Sequence, residues 1–399
     1  MLEVEEAQQR IIAAIEPLSA ESVSLNAAAG RVIVRPVAAS ISLPRFDNSA
    51  MDGYALRAAD VTNASVNSPV ALQCLGAVAA GSTSAQAVQP KTCVRIFTGS
   101  PLPAGADAVV MQEDTRVAGE WVDVLDAVKP WESVRLAGED VKEGMLIARG
   151  GERITAARLA LLGAMGIDRI AVTRQPVIGI LSTGNELVEA GCPLAAGEIY
   201  ENNRAALAAL VGQTGGIARI FPLVRDTLEE TCSALETAFA ACDAVITTGG
   251  ASVGEHDLVK AAFESLGGSL EFWKVAVKPG KPFLFGRWRD KTLFGLPGNP
   301  VSAFVTFLLL VRPAILRMQG AAELSLPGHP GLLAEDIHNR GDRRHFMRAV
   351  VDAQGNVRSA GLQASHALSS LAAANALLEV PPKTVWLADR QVEVLRWEF

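Results

Sequence analysis

Three lysines, Lys274, Lys278 and Lys281, fall within eight positions of a chain whose formal net charge is -7. Pro279 and Gly280 separate the last two, and a turn there would aim Lys278 and Lys281 at one oxyanion. The competing reading is an exposed hairpin turn with solvated lysines. A second stretch runs from Thr247 through Gly249, Gly250, Ser252 and Gly254 to Asp257. Its glycines and hydroxyls let backbone N–H groups converge on an anion at a helix N-terminus. Asp257 falls in the first helical turn, where it either serves a ligand or complements the helix dipole. A third stretch, Ser182-Thr183-Gly184-Asn185-Glu186, follows an apolar run. Glu186 paired with Asp257 would hold Mg²⁺ between substrate phosphates. In Leu296-Pro297-Gly298-Asn299-Pro300-Val301-Ser302, Asn299 is expected to cap a helix with Pro300 at its first position. Gly298 would let a ligand approach the backbone.

Several chemistries are disfavoured. There is no Ser-His-Asp order and no G-x-G-x-x-G, so a serine hydrolase and a dinucleotide oxidoreductase do not fit. His256 and His366 read as hydrogen-bonding residues rather than bases. The five cysteines are odd in number, widely spaced and without a C-x-x-C pair, which argues against a disulfide framework or a zinc site. The negative balance argues against nucleic acid as partner. The longest apolar run, 301–311, is interrupted by Arg312 and reads as a buried helix rather than a membrane span. The first residues are acidic and mixed, unlike a signal peptide. A cytoplasmic protein is expected.

These residues need elements to hold them. Short apolar strands at 177–181, 217–224, 244–248 and 292–296 alternate with helices at 202–211, 227–240, 256–266 and 300–318. That alternation predicts a parallel sheet covered on both faces, with ligands beyond the carboxyl ends of its strands. Helices are also expected at 4–15 and 155–165, and a strand over 31–42. Residues 70–128 read as β-rich. After Gly320, strands are expected at 344–351, 355–359, 377–380, 385–387 and 392–397, with a turn at 353–356. The fold class is therefore multidomain α/β and β: a central doubly wound α/β domain, β-rich N-terminal domains and a small C-terminal β-barrel. The expected boundaries are 1–172 for the N-terminal region (1–44 and 139–172, with a β-rich insertion at 45–138), 173–321 for the α/β domain and 322–399 for the last.

Taken singly these motifs are weak; their order is specific. RFDNSAMDGYAL, RIFTGSPLPAGADAVVMQE, GEDV, STGNEL, TTGGASVGEHD, WKVAVKPGKPF and GLPGNPVSAF together resemble the molybdopterin molybdenumtransferase family, that of MoeA and the gephyrin E-domain. The resemblance covers nearly the whole chain. It implies a molybdopterin-binding central domain, an elongated homodimer, and a Mg²⁺-assisted reaction of adenylylated molybdopterin with molybdate that releases AMP. It also implies an encounter with the molybdopterin adenylyltransferase of the same pathway. On the family pattern Asp52 and Thr98 are active-site residues that face the α/β domain of the partner chain. Glu186, Asp226, Asp257, Lys274, Lys278, Pro297 and Pro300 match functional positions of that domain. Lys281, Ser302, Arg348 and Ser365 match positions associated with anion or molybdate binding. One departure is Asn185, where many relatives carry Asp. An adenylyltransferase acting on molybdopterin and a non-catalytic scaffold are the other classes to weigh. The segments carrying Asp52 and Thr98 argue against the first, and the intact acidic and lysine constellation against the second.

Overall fold

The computed structural model describes residues 1–82, 84–249 and 258–397. The chain divides into two compact units. One comprises Met1–Arg35, Gly150–Leu159 and Asp168–Phe399, the other Pro36–Arg149 and Ala160–Ile167.

The larger unit is built on a six-stranded sheet. Its order is Ile217–Ile220, Val177–Ser182, Ala244–Thr248, Lys291–Leu296, Pro282–Trp288 and Ser269–Lys274. The first four run parallel, as their α/β alternation predicts. The last two add an antiparallel edge. Successive side chains of a strand point to opposite faces, and here they feed two cores. Ile178, Ile180, Ile246, Phe283, Phe285 and Phe294 join the core under the helices Asn203–Gln213 and Pro300–Met318. Leu181, Val245, Leu284 and Leu293 join the one under Leu228–Ala241 and Leu258–Ser265. Thr227 caps its helix, with its side chain accepting from Glu230 N.

Pro300–Met318 is the one helix among the described residues apolar and long enough to cross a membrane, and it is 89% buried in this core. It widens into a π turn at Phe307–Val311, just ahead of Pro313. Proline has no N–H for the carbonyl of residue 309, and Gln8 Nε2, from the N-terminal helix Val4–Ala13, donates to Leu309 O instead at 2.8 Å.

The C-terminal strands Gly328–Leu333, Arg344–Val351, Asn356–Ser359, Ala376–Val380 and Gln391–Arg396 close into a five-stranded barrel. Val277–Lys278 adds to its rim, parallel to Arg344 and His345.

The smaller unit holds a second six-stranded sheet, in the order Ala108–Met111, Gly53–Leu56, Thr92–Ile96, Val70–Val78, Trp121–Val124 and Thr115–Ala118. The single strand expected over 31–42 is not formed. Val32 and Ile33 make isolated bridges, and a strand of two residues, Val37–Ala38, follows Pro36. Pro36 has no N–H to continue a ladder.

Candidate functional site at the strand ends

Three loops meet where the central parallel strands end. Gly249 leaves Ala244–Thr248 with φ +86°, and a Cβ there would lie 2.3 Å from Thr183 O. A Cβ on Gly298 would lie 3.5 Å from Gly249 Cα. Glycine is therefore required at 249 by both the backbone conformation and the close approach. The loops frame a cleft of about 1090 Å³, lined among others by Glu186, Asp226, Gly249, Pro297, Gly298 and Pro300. These six of the residues singled out in the sequence are brought together. Gly250, Ser252, Gly254 and Asp257 lie outside the described residues.

The acidic pair is organised by its loops. The Glu186 carboxylate folds back toward Gly184, 2.8 Å from where a Cβ would stand. Asn185 N donates to Asp226 Oδ2 and Asp226 N donates to Asn185 Oδ1, both at 3.1 Å. Asn185 thus ties the two acidic loops together through an acceptor oxygen that aspartate would also supply. Thr183 Oγ1, also on the cleft, is buried and has no hydrogen-bond partner among the described residues.

Sequence reasoning missed the segment 201–204. Glu201 Oε1 accepts from Ser182 Oγ at 3.0 Å, from Asn203 N at 2.8 Å and from Arg204 N at 2.9 Å. Its Oε2 accepts from Arg204 Nε at 3.1 Å, in an ion pair only 5–6% exposed at either side chain. Glu201 therefore satisfies the first N–H groups of the helix Asn203–Gln213, and Asn202, at the cap position, makes no capping bond. The signal lay in the Glu-Asn-Asn run just ahead of a helix. Asn299 departs from expectation in the same way. It stands at the cap position with extended backbone, but its side chain caps nothing and lines the cleft.

The lysine turn sits beside the cleft, with Pro282, next to Lys281, in its lining. Gly280 has φ +113° and packs on the helix start, where a Cβ would meet Thr306 Cγ2 at 2.3 Å and Ser302 O at 3.7 Å. Lys278-Pro279-Gly280-Lys281 is thereby laid over the turn that carries buried Ser302. Lys281 is exposed and Lys278 half-buried. Lys274 is not in the lining: its Nζ stands 4.3 Å from the Trp273 ring centroid.

Arg348 is fully buried. Its Nη2 donates to Leu362 O at 2.6 Å and Ala364 O at 3.1 Å, and its Nε to Ser370 Oγ at 3.2 Å, while Nη1 has no partner. This pins a loop whose Ser365 O accepts from Val301 N at 3.2 Å and whose His366 and Leu368 line the cleft. Next to Arg348 and Lys278, buried His345 is depressed to about 3, chiefly by burial and then by Lys278, Arg348 and Arg343.

Asp52 and Thr98 belong to the smaller unit. Thr98 donates to Asp52 Oδ1 from its N at 2.8 Å and its Oγ1 at 2.9 Å, holding the carboxyl below its ordinary range. Next to Asp52, Gly53 admits no side chain, since a Cβ would lie 1.9 Å from Val110 O.

Three family models match the chain: the MoeA N-terminal region (domain I and II) over residues 2–166, a probable molybdopterin binding domain over 179–317, and the MoeA C-terminal region (domain IV) over 330–397. The chain is 37% identical to a molybdopterin molybdenumtransferase of Haemophilus influenzae over 95% of this chain and 94% of the relative. It is 33% identical to that of Bacillus subtilis, covering 98% of this chain and 93% of the relative. Among solved structures, the molybdopterin biosynthesis MoeA protein of Pyrococcus horikoshii superposes with a TM-score of 0.86 at 31% identity, covering 100% of both chains.

Proposed function

The chain belongs to the MoeA family of molybdopterin molybdenumtransferases, and on that footing we propose that it inserts molybdenum from molybdate into adenylylated molybdopterin, releasing AMP and forming the molybdenum cofactor. The observation that carries this reading is the cleft: a hollow of mixed polar and apolar lining beyond the carboxyl ends of parallel strands, with room for a pterin joined to a nucleotide.

Mg²⁺ belongs to the reading, and the donors present fit it. Glu186 and Asp226 bring hard oxygen donors to one cleft, whose lining also includes Thr183. Among the described residues no cluster of three or more His, Cys, Asp or Glu forms. A Mg²⁺ ion usually keeps several waters and takes one or two carboxylates together with substrate phosphates. Glu186 and Asp226 would hold it, together with Asp257. Bound there, the ion would neutralise charge on the phosphoanhydride and the departing AMP.

The protein's own groups divide the remaining work. The Gly249 and Gly298 loops admit the phosphates and the heterocycle close to the backbone. Lys278, Lys281 and Ser302 receive molybdate, whose two negative charges need converging cations and donors. Arg348 supports that site by pinning the loop with Ser365, and its bare Nη1 remains a donor. Lys274, stacked on Trp273, contributes positive field from the sheet edge. Asp52 and Thr98 complete the site across a homodimer, which handles adenylylated molybdopterin made by the adenylyltransferase of the pathway. The compartment is the cytoplasm, in keeping with five cysteines that are all unpaired.

The test is to incubate purified protein with adenylylated molybdopterin and molybdate, with and without Mg²⁺, and to follow AMP by chromatography. Molybdate-dependent AMP release is expected. Adenylylation of molybdopterin with ATP in its place would make the chain an adenylyltransferase, and binding without turnover would make it a scaffold. Mixing Asp52→Ala chains with Glu186→Ala chains should recover part of the activity. Confirmed heterodimers without recovery would remove the shared site.

A further inference from the structure

One short segment touches all three strand ends of the cleft. Glu201 accepts from Ser182, the last residue of Val177–Ser182. Two residues on, Asn203 Nδ2 donates to Thr248 Oγ1 at 2.7 Å, at the end of Ala244–Thr248. The same Nδ2 donates to Gly298 O at 2.8 Å, in the loop that follows Lys291–Leu296. Thr248 Oγ1 passes the chain on, donating to Pro297 O at 3.2 Å. One amide nitrogen thus spends both its protons across the gap between the Gly249 and Gly298 loops. Its anchor is rigid: Asn203 opens a helix whose first N–H groups are held by Glu201, itself locked by buried Arg204.

We propose that Asn203 is a positioning residue of the transferase reaction, acting through Thr248 and Gly298 to fix the spacing of the two loops that take the adenylylated pterin. This rests on the function proposed above. Asn203 holds the loops from the cleft wall itself, as a donor that aspartate cannot replace although it matches the shape. The lysine turn is not part of this bond chain. Loss of the clamp therefore weakens the pterin nucleotide and leaves molybdate alone.

The test uses the full-length protein carrying Asn203→Asp, Thr248→Val, or both. Aspartate suits the first turn of a helix, so the fold and the Asn203–Gln213 helix should persist. The expected result is at least roughly tenfold weaker binding of adenylylated molybdopterin to Asn203→Asp, with half-saturating molybdate changed less than about twofold. The double variant should be little worse than the worse single one, because both changes break the same chain. Additive losses, or a parallel rise in half-saturating molybdate, would overturn the proposal. A second readout needs no substrate: amide hydrogen exchange in the unliganded Asn203→Asp protein should quicken at 297–303 and at Gly249 more than within Asn203–Gln213. Unchanged exchange there would refute the clamp. Quickened exchange in a protein whose wild type does not use adenylylated molybdopterin would uphold the clamp and refute the proposed activity.

Discussion

The strand-end cleft and the strip formed by Lys278 with strand Arg344–Val351 lie in one compact unit and carry opposite charge. The charged residues lining the cleft are Glu186, Glu201 and Asp226, with no lysine or arginine among the described lining. Glu201 is neutralised by Arg204, which leaves Glu186 and Asp226 as unbalanced carboxylates. The strip gathers Lys278, Arg343 and Arg348, strongly enough to help keep His345 neutral. A net charge of -7 therefore describes neither region. The chain segregates its charges: unpaired carboxylates face the strand-end cleft, and cations gather along the strip.

The comparison breaks most visibly at Glu186. Its replacement by Ala removes half of the acidic pair and should lower Mg²⁺-stimulated AMP release on the order of 10²-fold or more. Half-saturating molybdate should move little. Equal loss with and without Mg²⁺ would show that the carboxylate does not serve an ion.

Within the strip, two cations should part company. Arg348→Met leaves Leu362 O and Ala364 O without their donor, and should cost about 3 kcal/mol of stability. Chemical denaturation measures that cost directly. Lys278→Ala should unfold like the wild type but raise half-saturating molybdate on the order of tenfold. If the Lys278 variant is destabilised and its molybdate dependence is untouched, the division between supporting and binding cations is wrong.

His345 gives the strip a signature in pH. Its folded value of about 3 lies below the ordinary 6.5, so an unfolded chain takes up a proton that the folded one refuses. Its contribution to stability is complete above the ordinary value and is lost as pH falls from 6.5 toward 3. The slope is at most about 1.4 kcal/mol per pH unit. Urea midpoints from about pH 7 down to about pH 4 should fall less steeply in His345→Gln than in wild type. Parallel curves would mean that the imidazole is protonated in the fold.

Much of this architecture was legible in the residues, and the misses have physical causes. Ala244–Thr248 and Arg344–Val351 coincide with their expected spans, because apolar runs between turn residues are decided locally. Ser269–Lys274 and Pro282–Trp288 went unread. They form an edge hairpin rich in charge and aromatics; the competing reading of the lysine turn is a hairpin turn, but no strand is expected from the sequence on either side of it. Gly328–Leu333 contains Gly328, Pro330 and Gly331 and is not among the expected strands, yet pairing with Gln391–Arg396 makes it a barrel strand. At the site, the Glu186, Gly249 and Gly298 loops could be placed together from strand order alone. The inward commitment of Arg348, the bond between Ser365 O and Val301 N, and the reach of Asn203 to two other loops are long-range contacts with no local signal.

The smallest effect concerns Asn185, which sits between the two acidic loops. Its Oδ1 accepts from Asp226 N, and its own N donates to Asp226 Oδ2. Aspartate would keep both bonds, since a carboxylate accepts from Asp226 N as an amide oxygen does. What changes is charge. Asn185 is exposed, so a second carboxylate beside Asp226 costs about 1 kcal/mol or less without the ion. With Mg²⁺ the same charge is favourable. Asn185→Asp should therefore fold normally and lower half-saturating Mg²⁺ by roughly two- to fivefold, the equivalent of about 0.4–1 kcal/mol. Raising salt should shrink the difference, because exposed charges are screened. The measurement is AMP release titrated with Mg²⁺ for both proteins at low and high ionic strength. Weaker Mg²⁺ dependence in the variant at both salts would mean that the acidic loops do not form the metal side of this cleft, and the contrast between its two regions would have to be drawn elsewhere.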